Sequence, residues 1–108
     1  MQYTVKMTSF AIGQVQDIIS YISHELQSPE TALRWADLLQ KEISELGTFP
    51  SRFPCVETEP WKSKGIRKTA VKNFIIYYLI NEDSKTVWIT AVIYGKRNQI
   101  EQLRNMPY

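Results

Sequence analysis

Residues 74–94 read Phe74-Ile75-Ile76-Tyr77-Tyr78-Leu79-Ile80, then Asn81-Glu82-Asp83-Ser84-Lys85, then Thr86-Val87-Trp88-Ile89-Thr90-Ala91-Val92-Ile93-Tyr94. The outer runs are rich in β-branched and aromatic residues, and the polar link between them has the length and chemistry of a β-hairpin connection. A third strand candidate, Ile66 to Val71, stands immediately upstream. Before it, Phe49 to Pro60 carries prolines at positions 50, 54 and 60, which forbid both a helix and a central strand. That stretch reads as an ordered loop pinned by Phe49 and Phe53.

Two helices precede the loop. From Phe10 to about Leu26 the residues Ala11, Ile12, Val15, Ile18, Ile19, Ile22 and Leu26 recur every three or four positions, one apolar stripe with Thr8 and Ser9 as N-caps. Ser28-Pro29-Glu30 is a restart signal, with a capping hydroxyl, a proline where no N–H is needed, and an acid at the positive helix end. A second stripe follows in Ala32, Leu33, Ala36, Leu39, Ile43 and Leu46, and Gly47 fits its stop. So short a link predicts an antiparallel helical hairpin. Tyr3 to Met7 alternates like a half-buried strand, and Asn98 to Tyr108 reads as a short helix or a mobile tail. The order is β-α-α-β-β-β, an α+β domain with the hairpin packed on one face of a small, mainly antiparallel sheet.

Length and composition agree with that size. The 108 residues, 44% of them apolar, suit one domain spanning 1–108. The longest apolar runs fall far short of a membrane span and no signal peptide precedes the first strand, so a soluble, cytoplasmic protein is expected, with no membrane partner. One cysteine, Cys55, and one histidine, His24, allow neither an internal disulfide nor an ordinary zinc site. No phosphate loop, HExxH, GxSxG or CxxC is present, so no metal or cofactor is implied.

Charge is uneven. Residues 1–60 hold four basic against eight acidic side chains, a balance of −4, and the rest holds nine against three, +6. A polyanion should therefore meet the second half. Between Trp61 and Lys72 stand Lys62, Lys64, Arg67, Lys68 and Lys72 with no acid, and Lys96, Arg97 and Arg104 follow the last strand. These cations could share one patch for a phosphodiester or an acidic peptide, or could simply keep a sheet edge soluble. Tyr77 and Tyr78 take alternate faces of their strand, so both cannot be core. Tyr78 and Tyr94 are then candidate stacking rings, although cross-strand packing is the commoner use.

Tyr3-Thr4-Val5-Lys6, Tyr21-Ile22, Ser28-Pro29-Glu30-Thr31-Ala32, the Phe49-Pro50 to Phe53-Pro54 loop, Gly65-Ile66-Arg67, Phe74 to Tyr78 and Val92-Ile93-Tyr94-Gly95-Lys96-Arg97 together resemble the RelE/ParE superfamily of toxins from bacterial type II toxin–antitoxin (plasmid stabilisation) modules. The resemblance spans nearly the whole chain and implies the same fold and a cognate antitoxin that neutralises the toxin. It also implies one of two poisons, ribosome-dependent messenger cleavage without a metal or inhibition of DNA gyrase.

For the ribonuclease branch, Arg67 or Lys68 matches the basic strand site and Arg97 the arginine after the last strand, so these three are the catalytic candidates. Ile75 stands where that branch has an arginine, and Leu103 lies nearest its C-terminal tyrosine, with Tyr108 a loose substitute. Those departures put a ParE-like toxin acting by binding first, a RelE-like endoribonuclease second and a non-toxic protein-binding domain third. The target-binding candidates are Lys62, Lys64, Lys72, Tyr78, Tyr94, Lys96 and Arg104.

Overall fold

The structure is a computed structural model and describes residues 2–25, 27–95 and 103–104. Strand β1 (Thr4–Met7) leads into helix α1 (Ser9–Ser20), which continues as one π-helical turn over Tyr21–Glu25. Helix α2 (Pro29–Glu45), a 3-10 turn at Pro50–Arg52, and strands β2 (Arg67–Val71), β3 (Phe74–Asn81) and β4 (Thr86–Tyr94) complete the expected β-α-α-β-β-β order. The sheet runs β1-β4-β3-β2, with β1 parallel to β4 and the other pairs antiparallel.

Local chemistry explains the helix starts. Thr8 is extended, and its hydroxyl oxygen accepts from the Ala11 N–H at 3.1 Å, satisfying one orphan donor of α1. Ser28 differs from the sequence expectation, because its hydroxyl donates to Thr31 Oγ1 at 2.6 Å and caps no backbone group. Pro29 starts α2 without that cap. Gly47 closes the helix for a reason other than a left-handed stop. A Cβ there would sit 2.9 Å from the Tyr3 carbonyl oxygen, so glycine lets β1 approach and Tyr3 N–H donate to the Gly47 carbonyl at 2.8 Å.

Helix α2 buries Ala32, Trp35 and Leu39, while Leu33 is exposed. The core-facing stripe thus takes in Trp35 and leaves out Leu33, which the aliphatic pattern had included. The Trp35 ring lies 4.7 Å from that of Phe74. Ile12 of α1 is likewise exposed.

The sheet is covered on both faces. Even positions of β3, Ile76 and Tyr78, join Ala11, Ile22, Trp35, Leu39, Val71, Val87, Ile89 and Val92 under the helices. On the other face Tyr77 joins Val56, Trp61, Ile66, Ala91, Ile93 and Leu103. Both tyrosines are therefore core, at 2% and 0% exposure, against the expectation that only one could be. The end of the proline loop and the start of the basic run carry the apolar anchors Val56, Trp61 and Ile66 that make the second layer.

One irregularity serves both layers. Tyr77 pairs with Ala91 and Tyr78 with Ile89, so Thr90 is an extra residue in β4. The bulge reverses the alternation, which sends Val87 and Ile89 to the helical face but Ala91 and Ile93 to the other. Among the described residues no helix is long and apolar enough to cross a membrane.

Candidate functional site

The register places Arg67 opposite Tyr78 and Lys68 opposite Tyr77, settling a choice that a one-residue slip would invert. The two neighbouring cations therefore leave β2 on opposite faces. Arg67 is half-buried, and its Nη1 donates to the carbonyls of Phe53 at 2.6 Å and Ser51 at 3.3 Å. Lys68 is exposed, and its backbone N–H donates to the Pro54 carbonyl at 3.3 Å. Arg67 clamps the proline loop while Lys68 offers its ammonium to solvent, so the two do not converge on one point.

The loop is held by polar groups that the sequence did not advertise. Tyr78 donates its hydroxyl to the Pro50 carbonyl at 2.5 Å. Arg52 donates from Nη1 to the Thr48 carbonyl and, at 3.3 Å, to that of Glu45, and its guanidinium lies 4.9 Å from the Phe53 ring centre. Pro50 is buried, Phe53 half-buried and Phe49 74% exposed. Phe49 is thus no pin for the loop, contrary to expectation. Its backbone sits at φ 49 and ψ 59, left-handed, which turns the ring outward.

Tyr78 needs a correction as a contact residue. It is fully buried and its hydroxyl is used within the fold, so it presents no face to a target. Burial pushes its phenol up to about 12 even though the Arg67 and Arg52 charges beside it act the other way. Burial also pushes Tyr77 up to about 12. Tyr94 is half-buried with its ring 5.3 Å from that of Phe74.

Lys62, Lys64, Lys72 and Arg104 are exposed, whereas Lys96, Arg97 and Tyr108 lie outside the described residues. The run from Trp61 is less one-sided than its composition. Glu59 takes 2.8 and 2.7 Å hydrogen bonds from Ser63 N–H and Oγ, which hold its carboxyl below the usual range, and Lys62 adds to that lowering. Lys72, in the β2–β3 turn, edges an open depression of about 220 Å³ lined also by Ala70, Asn73, Phe74, Ile75 and Gly95. Its wall is mostly hydrocarbon, to which Ile75 contributes. Among the described residues no cluster of His, Cys, Asp and Glu is arranged to hold a metal ion.

The family model for the ParE toxin of the type II toxin–antitoxin system parDE matches residues 5–99. The chain belongs to the ParE toxin family. The fold of this ParE-family toxin is also that of several solved toxin structures. A chromosomal ParDE toxin–antitoxin system from P. aeruginosa superposes with a TM-score of 0.71 at 17% identity, covering 88% of this chain and 98% of that one. The RelBE2 toxin–antitoxin complex of Mycobacterium tuberculosis gives 0.63 at 19% identity, covering 87% and 99%. A free E. coli RelE toxin with two arginines changed to alanine gives 0.58 at 12%, covering 94% and 93%. Identities this low carry the fold alone. No curated protein matches the sequence.

Proposed function

We propose that this ParE-family toxin arrests growth by binding an essential target, DNA gyrase first among the candidates, and that a cognate antitoxin neutralises it. The observation that carries this reading is the ParE family match over residues 5–99. Two features of the site support it. Ile75 puts hydrocarbon at the position where a messenger-cleaving relative would hold a cation, and Arg67 commits Nη1 to two loop carbonyls rather than to an open surface. General acid–base cleavage of RNA needs charged groups converging on one phosphodiester, and Arg67 and Lys68 diverge. The antitoxin partnership is supported by likeness to chains solved in ParDE and RelBE complexes.

The test is induction of this chain alone in a bacterial host, with messenger integrity and DNA supercoiling read from the same cells. Arrest with intact messenger and disturbed supercoiling is expected. Site-specific messenger cleavage that disappears in Arg97→Ala would overturn the binding mechanism in favour of a ribonuclease. Co-expression of the small protein encoded alongside should relieve the arrest and yield a complex.

A further inference from the structure

The loop that Arg67 clamps has features that fold stability does not require. Phe49 precedes a proline, a position normally extended, yet it is left-handed, a conformation unfavourable for a bulky side chain. Such a residue persists only where its surroundings over-determine it. Here they do, because Arg52, Arg67 and Tyr78 fix the carbonyls of Thr48, Ser51, Phe53 and Pro50 on either side of it. What this rigid frame achieves is to hold a phenyl ring 74% exposed.

The flanking charges are also incompletely used. Arg52 and Arg67 bond carbonyls through Nη1 alone, leaving Nε and Nη2 of each without a hydrogen bond among the described residues, and neither is in an ion pair there. We propose that Phe49, Arg52 and Arg67 form an anchoring site for an acidic segment of the cognate antitoxin, Phe49 entering an apolar socket while the guanidiniums take a neighbouring carboxylate. The inference rests on the antitoxin reading above and assigns that partner a point of contact. A pre-ordered aromatic beside arginines has the composition of an interface hot spot, and its rigidity lowers the entropy cost of binding.

A carboxylate on a protein fits better than a nucleic-acid strand. Glu45 supplies a carbonyl to the same clamp, and Glu57 follows two residues after Cys55, which bridges to Arg67. A phosphate chain needs a cation for each successive charge along a stretch of sequence that itself carries Glu45 and Glu57, whereas the two guanidiniums suit one carboxylate.

The test uses the full chain co-expressed with the antitoxin encoded beside it, comparing wild type, Phe49→Gly and Arg52→Gln. Glycine accepts φ 49 without penalty, so Phe49→Gly should melt no lower than wild type while its complex weakens by about tenfold or more. That divergence between stability and affinity is one a purely structural Phe49 would not give. Arg52→Gln should weaken the complex and flatten its dependence on salt. If the wild-type complex forms and Phe49→Gly binds equally well, the anchoring site is wrong while the antitoxin reading stands. If the wild type forms no complex, the antitoxin reading falls and takes the site with it. Salt-sensitive capture of a short single-stranded RNA, lost in Phe49→Gly with antitoxin binding unchanged, would overturn the protein assignment in favour of a nucleic-acid site.

Discussion

The hydroxyl of Tyr78 donates to the carbonyl oxygen of Pro50 at 2.5 Å, tying the centre of the sheet to a loop 28 residues earlier in the chain. Tyr78 is fully buried, so no water replaces that bond when the hydroxyl is removed. Tyr78→Phe should leave the fold intact and lower its stability by about 1–2 kcal/mol, because the ring still fills its place but a carbonyl loses its donor. The urea midpoint should fall with an unchanged slope. An unaltered midpoint would mean that the loop is held without this bond.

The same residue sets a pH dependence. Burial pushes the Tyr77 and Tyr78 phenols up to about 12 in the native state, against the ordinary value of 10.0. Above about pH 10 the unfolded chain releases these protons while the native chain keeps them, so the native state binds more protons and stability falls as pH rises. The contribution is complete below the unfolded value and is lost through the native one. Urea midpoints measured at about pH 9 and about pH 11 should show a shallower decline in Tyr78→Phe than in wild type. Parallel declines would place the titrating groups elsewhere.

The architecture was legible because the local signals agree. The hairpin Phe74 to Tyr94, the Thr8 start and the Ser28-Pro29 restart fix six elements in order, and the structure keeps all six with ends moved by a residue or so, α1 passing into a π-turn. What stayed hidden is non-local. Trp61 sits among lysines with no apolar periodicity to mark it as core, but it packs with Tyr77, Ile66 and Leu103. Period-2 reasoning about Tyr77 and Tyr78 correctly put them on opposite faces and failed only because it assumed one face was wet. The site suffered similarly. Arg67 looked like a free cation because its acceptors are backbone carbonyls, which no sequence displays, and Phe49 looked like a pin because φ is not written in side chains.

Helix α1 offers a simpler stability test. Thr8 Oγ1 accepts from Ala11 N–H at 3.1 Å and donates to the Thr90 carbonyl at 3.4 Å, linking the helix start to the bulge of β4. Thr8→Ala removes both contacts at a buried position and should cost about 1–2 kcal/mol. Thr8→Ser keeps the hydroxyl and should recover most of that loss. Equal losses in both variants would assign the effect to the methyl group rather than to the cap.

Lys68 separates the two poisoning mechanisms without disturbing the core. It is exposed and shares the face of Tyr77 and Ile75, while Arg67 on the opposite face holds the loop. Reversing its charge should change stability by no more than about 0.5 kcal/mol, the range usual for a surface substitution. If this face meets an acidic surface on the target, Lys68→Glu weakens growth arrest, leaves messenger intact before and after the change, and lowers binding to the target in a salt-dependent way. A base or phosphate-binding group in a ribonuclease behaves differently, since messenger fragments made by the wild type would vanish in the variant. Growth, messenger integrity and supercoiling followed in wild type and Lys68→Glu side by side distinguish the outcomes, and fragments dependent on Lys68 would return this chain to the catalytic branch despite Ile75.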